Sequence, residues 1–408
     1  MTPLHAPLLA LCLFAVTFAV NLQAPLYPAY LAQAGLGAGA ATLAFAAYVA
    51  GLMPTLILLG GLSDRVGRRA PLVCALLLSF AATLLLALSP GWAELAAARV
   101  LLGIGTGLAT PAGTAWMAEL MGEARAKPAA LMVTSATTLG FGGGALATGL
   151  SLMAQGPSFA PASFWALLIA APPLALACLR LPRIAPPRRV SPLRLPVFPA
   201  GSAPYGLALA LAWASTGMTI AATPLLLARL ELDSWSGPVI FLALFVGFLC
   251  QPLARRTSNP RALRIGLGLI PLGFAGLLAG AATASVPLIL LGTALTSAAS
   301  YGFVYLAALS EVSALAPENR ARAAAGLFVY AYCGFSAPVV AAGALADRIG
   351  LVPAMGVFFA AQLACLLALA GAMARAGRLR ARRAQTSAAA PAAAAPAAAS
   401  PSGARRPR

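Results

Sequence analysis

Twelve long apolar runs follow one another through this chain, each closed by polar residues, glycine or proline, and no water-soluble fold can bury them all. Their approximate limits are 7–33, 38–62, 70–89, 92–118, 128–153 and 160–181 in the first half. In the second half they are 203–228, 234–254, 263–282, 286–310, 322–346 and 351–374. Each suits a helix that crosses a bilayer, which takes roughly 20 apolar residues. Composition agrees, because 61% apolar against 9% charged residues leaves too little polar surface to clothe a globule. The expected fold class is an all-α membrane protein with twelve transmembrane helices.

A formal net charge of +18 raises nucleic acid as a partner, so the placement of the charge decides the matter. Thread the chain through twelve spans with both ends on one side, and every Lys and Arg falls on that side except Arg99, Arg229 and Arg348. That is the positive-inside pattern. It predicts cytoplasmic N- and C-termini in an inner (plasma) membrane, no nucleic-acid partner, and attraction to anionic membrane lipid. No Lys or Arg precedes the apolar run from Ala6 to Val20, so it reads as an uncleaved first span rather than a secretory leader. Cys12, Cys74, Cys178, Cys250, Cys333 and Cys365 all fall inside spans and read as small buried apolar residues, neither a disulfide nor a metal framework. No metal and no cofactor is expected.

Between the second and third spans stands a dense charged knot, Gly60-Gly61-Leu62-Ser63-Asp64-Arg65-Val66-Gly67-Arg68-Arg69. It resembles the helix 2–3 loop of major facilitator superfamily transporters, G-x-L-x-D-R-x-G-R-R/K, at Gly60, Leu62, Asp64, Arg65, Gly67, Arg68 and Arg69. An ordinary basic turn would require neither Asp64 nor the glycines. The chain also repeats itself: Glu119 to Lys127 recurs as Glu311 to Arg322 at an offset near 192. The same offset carries the charged knot onto Leu253-Ala254-Arg255-Arg256, where arginine replaces the aspartate. The resemblance implies two pseudo-symmetric six-helix halves with solute handled between them near the midplane. The corresponding division is 1–181, a Pro- and Arg-rich cytoplasmic linker over 182–203, 204–374, and a basic tail over 375–408 whose composition predicts disorder.

Three sites carry possible chemistry. The resemblance implies that Asp64 faces the N-terminus of the eleventh helix, near Arg320–Ala324, where unpaired N–H groups favour negative charge. Gly60, Asp64, Arg65, Gly67, Arg68 and Arg69 would then form an inner latch favouring the outward-open state. Arg99 lies seven residues into the fourth span. A charge so placed needs a partner, and Glu94 is turned away from it on the helix. Helical spacing sets Gly103, Thr106, Thr110 and Thr114 on its face, and Arg99 with Gly103 resembles the family's R-x-x-x-G pattern in helix 4. Arg99, Asn21, Thr106 and Thr110 are the candidates for substrate or coupling; an arginine bonded to backbone carbonyls is the alternative. Gly140, Gly144 and Gly149 partly fit the G-x-x-x-G-P-x-x-G-G pattern of antiporters, with Ala145 and Thr148 departing from it. Close helix packing explains the same glycines equally well. Weaker candidate faces are Thr17, Asn21, Pro25 and Pro28; Thr216, Thr219 and Thr223; and Thr293, Ser297 and Tyr301.

Every acidic residue belongs to a span end, the first span offers Asn21 and Gln23 in place of an acid, and the only histidine is His5. An intramembrane enzyme has little to build from, and polyspecific export of cations loses its usual carboxylate. The reading is a monomeric secondary transporter, not an enzyme, which exports a small organic solute or drug-like compound, with neutral or anionic solutes favoured over cations. Protons are the candidate coupling ion. Uptake of a sugar or organic acid is the alternative.

Overall fold

Apolar runs of this length become helices because a bilayer offers no water to pair backbone N–H and C=O groups, and a helix pairs them internally. The computed structural model describes residues 4–184 and 191–389, with side chains through 376. Among the described residues it contains twelve spanning helices and no strand. They are α1 (His5–Ala34), α2 (Ala38–Leu59), α3 (Arg69–Leu88), α4 (Trp92–Met121), α5 (Glu123–Gln155) and α6 (Ala162–Arg180), then α7 (Ala203–Arg229), α8 (Asp233–Arg255), α9 (Asn259–Thr283), α10 (Val286–Leu315), α11 (Arg320–Ile349) and α12 (Leu351–Ala376).

The expected spans are all present, and the differences are local. α1 breaks after Asn21 and passes through a 3₁₀ turn, Ala24–Leu26, before resuming at Tyr27. Pro25 and Pro28 remove the N–H groups that would have continued the helical ladder there. α10 widens into a π turn over Ala298–Val304. The second span ends at Leu59, and Leu62–Val66 forms a separate short helix that stops at Gly67, where φ is +88°. Only glycine adopts that conformation without strain. The helix begun at Leu351 runs on to Ala389, past the expected end at 374; residues 390–408 lie outside the described residues.

Within each half the closely packed pairs include α2 with α4, α1 with α5, α7 with α11, α8 with α10 and α9 with α10. Glycines permit the approach: Gly51 lies on the Val100 carbonyl, Gly103 on that of Tyr48, and Gly334 on that of Ala210. Close van der Waals packing of small residues is what holds helices together in lipid, where burial from water is no longer available. Two seams join the halves, α2 against α11 and α5 against α8. α7 is the most enclosed span, with 89% of its apolar window buried, and it forms the inner wall of the second half.

All six thiols are free; Cys12 and Cys178 are buried, but Cys74, Cys333 and Cys365 are exposed on the bundle surface rather than buried as expected. The physical reason is the solvent: a small apolar thiol is as compatible with lipid as with the interior.

Candidate functional site

A cavity of about 520 Å³ lies between the halves. Its deep end is bounded by Val20, Phe45, Arg99, Ile220 and Phe335. It runs to Thr114 and Ala130 on one side and to Arg255 and Leu309 on the other. Those residues adjoin the loops that carry the arginine clusters, so the cavity reaches the basic face of the bundle. Toward the opposite face the seams are shut: the Phe45 and Phe335 rings meet at 4.8 Å, and Gly149 of α5 lies against Gly237 of α8.

Arg99 sits at the closed end and is 1% exposed. Its Nη1 donates to the Val20 carbonyl at 2.7 Å and its Nη2 to the Phe45 carbonyl at 3.2 Å. The rings of Phe45 and Tyr48 flank the guanidinium, at 5.4 and 4.8 Å from centroid to Cζ. The break in α1 explains the first contact. With the ladder interrupted, the Val20 carbonyl turns to side chains and also accepts from Gln23 Nε2 at 2.8 Å. The arginine's charge is thus met by carbonyl dipoles and ring faces, the alternative that the sequence left open. Its Nε is buried without a hydrogen-bond partner among the described residues, as is Nε1 of Trp213 across the cavity.

The other expected lining residues divide. Thr106, Thr110 and Thr114 line the cavity in a row, each donating to the carbonyl four residues back at 2.7 to 2.9 Å. Their hydroxyl donors are thereby spent on the helix, and at the exposed Thr110 and Thr114 the oxygen lone pairs remain to face the cavity. Asn21 lines it too and ties α1 to α5 by donating Nδ2 to the Phe141 carbonyl at 2.8 Å. Gly103 does not line it; it packs on Tyr48. Thr216, Thr219 and Thr223 are buried inside the bundle away from the lining, and of the three residues expected on α10 only Tyr301 reaches it. Gly140 and Gly144 face the α1 backbone at Phe14 and Phe18, so those two glycines serve helix contact.

Sequence reasoning missed most of the second-half wall: Trp213, Tyr305, Phe328, Tyr332 and Phe335, together with Gln251 and Arg255. Trp213 anchors it, with Tyr332 at 5.1 Å, Tyr301 at 5.3 Å and Phe335 at 5.9 Å between ring centroids. The available signal was spacing, since Phe328, Tyr332 and Phe335 fall at i, i+4 and i+7 on one helical face. The π turn of α10 sets Tyr301 in place, and its carbonyl accepts from Gln251 Nε2 at 3.4 Å. Among the described residues no carboxylate lines the cavity and no group of His, Cys, Asp and Glu is placed to hold a metal ion.

The charged knot lies on the basic face, outside the cavity. Arg68 is its hub: Nε and Nη2 clasp Glu119 Oε1 at 2.9 and 2.7 Å, while Nη1 donates to Ser63 Oγ at 2.7 Å and Asp64 Oδ1 at 2.5 Å. Burial works against the Arg68 charge, but the carboxylates of Glu119 and Asp64 outweigh it and leave its pKa raised. Arg69 donates to the Leu181 carbonyl at the exit of α6, and Arg65 is exposed. In the second half Glu311, the repeat's counterpart of Glu119, accepts from a neutral donor instead, Asn259 Nδ2 at 2.8 Å.

Asp64 does not meet the first turn of α11, as the resemblance implied. Its second oxygen pairs with Arg194 of the linker. Residues 191–197 of the linker run between Asp64 and α11 as an extended strap. Gly61 N donates to the Pro192 carbonyl at 2.8 Å and Arg194 N to that of Ile57 at 2.9 Å. Beyond them, Val197 N donates to the Arg322 carbonyl at 3.0 Å and Arg322 Nε to the Leu195 carbonyl at 2.9 Å.

No curated protein matches the sequence. Solved structures do match the fold. The nucleoside transporter NupG superposes with a TM-score of 0.73 at 12% identity, over 90% of this chain and 99% of that one. A peptide transporter POT gives 0.72 at 16% identity, over 92% and 95%. A bacterial homolog of the human lysosomal transporter Spinster, in an inward-facing and unoccupied conformation, gives 0.66 at 16%, over 90% and 94%. At these identities the likeness shows the fold alone. The model of the Major Facilitator Superfamily matches residues 9–339, most of the length, and the chain belongs to that family.

Proposed function

We propose that this protein is a monomeric secondary transporter that exports a small organic solute, neutral or anionic and bearing an aromatic or otherwise flat apolar body. The observation that carries the reading is the cavity wall: aromatic rings on the second half, Arg99 at the closed end, Arg255 at the mouth, and no carboxylate among the described residues. An acid-free cavity holding two guanidinium groups repels cations, whereas an anion gains from both. Rings accept flat apolar groups. A sugar presents a crown of hydroxyls that needs many polar partners, and the two lining amides, Asn21 and Gln251, already spend donors on backbone carbonyls. That arrangement favours an organic acid over a sugar.

The arginine asymmetry supports a cytoplasmic basic face in an inner (plasma) membrane. The cavity then faces the side from which an exporter loads, and the glycine pattern of α5 resembles the exporter branch. The test is transport in proteoliposomes of fixed orientation, with aromatic carboxylates, uncharged aromatics, sugars and organic cations offered from the basic face, with and without a proton gradient. Movement of the aromatic anion or neutral compound away from the basic face is the expected result. Preference for the cations, or transport of sugars alone, overturns the reading.

A further inference from the structure

The pattern of the charged knot occurs twice in this chain. Gly60-x-Leu62-x-Asp64-Arg65-x-Gly67 after α2 is matched by Gly343-x-Leu345-x-Asp347-Arg348-x-Gly350 at the end of α11. The repeat that relates the halves does not generate this match, because it carries the first copy onto the end of α8. The two copies also sit on opposite faces of the bundle. Their backbones end alike: φ and ψ are 88° and 164° at Gly67, and 92° and 158° at Gly350.

The second copy makes contacts across the half boundary. Gly343 lies so close to Thr42 of α2 that a Cβ there would collide with its side chain. One helical turn on, Asp347 reaches the N-terminus of α2. The Gly39 N–H donates to Asp347 Oδ1 at 3.2 Å and to Oδ2 at 3.1 Å. α2 lacks a cap of its own, since its N-cap residue is Gly37 and no side chain bonds there. A carboxylate at that end meets unpaired N–H groups and the positive end of the helix dipole. The cap comes from the other half, so it exists only while the halves meet at this face.

We propose that Asp347 is the latch of the face opposite the basic one. Its carboxylate caps α2 across the half boundary while the cavity opens on the basic side, and it lets go when the cavity opens the other way. The paired copy explains the state seen here: the latch of the second copy is engaged, and Asp64 of the first copy is held by Arg68 and Arg194 beside the open cavity. Each of α2 and α11 thus carries the same pattern at its C-terminal end, one for each face. The inference does not depend on which solute is carried.

The test uses full-length, cysteine-free protein in lipid nanodiscs with spin labels at the exposed pairs Ser89 and Thr283 across the opposite face, and Glu123 and Arg256 across the basic face. Asp347→Ala should raise the ratio of opposite-face-open to basic-face-open molecules by roughly two- to thirtyfold, the worth of a helix cap. Thermal stability should fall with it. The double variant Gly37→Asp/Asp347→Ala moves the carboxylate to the N-cap of α2 itself, into space that Asp347 vacates. It should recover stability yet keep the shifted populations, since no bond then crosses the boundary. A double variant with parental populations makes Asp347 a mere helix cap and overturns the proposal, as do unchanged distances in the single variant. Should the single variant fail to fold, the double variant against the parent decides alone.

Discussion

Arg99→Lys isolates what the closed end of the cavity needs from its arginine. Two Nη donors reach carbonyls on two different helices, Val20 on α1 and Phe45 on α2, and two rings flank the charge. An ammonium keeps the charge and much of the ring attraction, but it is a point on a flexible stem and cannot span both carbonyls as a rigid fork does. A hydrogen bond to a charged group contributes about 1.5–3 kcal/mol, and the Val20 carbonyl keeps Gln23 Nε2 as a donor, so no orphaned carbonyl adds to the loss. The Phe45 contact is the longer of the two, so the expected loss lies near the lower end, about 2 kcal/mol. Unfolding by denaturing detergent, read by tryptophan fluorescence and extrapolated to zero denaturant, measures that difference. Binding of an aromatic carboxylate to the same preparations measures the rest. Because Nε remains unpartnered at the cavity, affinity should fall together with stability. A lysine variant as stable as the parent would show that the carbonyl bonds contribute nothing, and that the arginine is kept for ligand alone.

Three further outcomes follow from the same geometry. Single cysteines replacing Arg68 or Arg261 in a cysteine-free background should resist an impermeant thiol reagent outside intact cells; labelling of both would reverse the proposed orientation. Arg194→Ala unties the linker from Asp64, a partly exposed ion pair of at most about 1 kcal/mol. It should lower the basic-face-open population by a factor of several, read as a shortened label distance between Glu123 and Arg256, and an unchanged or longer distance refutes the strap. Gly144→Leu drives a side chain into the Phe18 carbonyl of α1. Overpacking of this kind costs about 1–3 kcal/mol, so a lower unfolding midpoint is expected, and a parental midpoint would show that the α1–α5 contact is loose.

Much of this architecture was legible because a bilayer imposes a coarse rule: long apolar runs must be helices, and arginines mark one face. The charged knot was legible as a motif, but its clasp of Arg68 on Glu119 was not, and the offset between halves located only the counterpart Glu311. The aromatic wall was not legible. In a soluble helix the buried face stands out against a polar one, but in a membrane span lipid, core and cavity all accept Phe, Leu and Ala. Phe335 of the cavity wall and Leu367 of the bundle surface are both large apolar residues inside apolar runs, and the sequence does not tell them apart. Arg255 was read as loop charge because it ends its helix, and only the structure turns that end toward the cavity. The partner of Asp64 was hidden for another reason. Besides Arg68, the aspartate pairs with Arg194 of the linker, 130 positions on, and no spacing in the sequence links the two.

Irregular backbone and cavity coincide in this protein. Regular helices leave no carbonyl free within the apolar layer, so a site that binds through backbone must break them where water or another segment can satisfy the freed groups. The interruption of α1 beyond Asn21 frees the Val20 carbonyl for Arg99, and the π turn of α10 presents the Tyr301 carbonyl to Gln251 while setting the Tyr301 ring beside Trp213. One break lies in each half, and they fall on the two helices that frame opposite walls of the cavity. Because the regular helix ends at Asn21, the Val20 carbonyl accepts from Arg99 Nη1 and Gln23 Nε2, and Pro25 lacks the N–H that would have paired the next carbonyl, that of Asn21. The buried charge at the closed end of the cavity is thereby tied to the break in α1 that leaves its acceptor exposed.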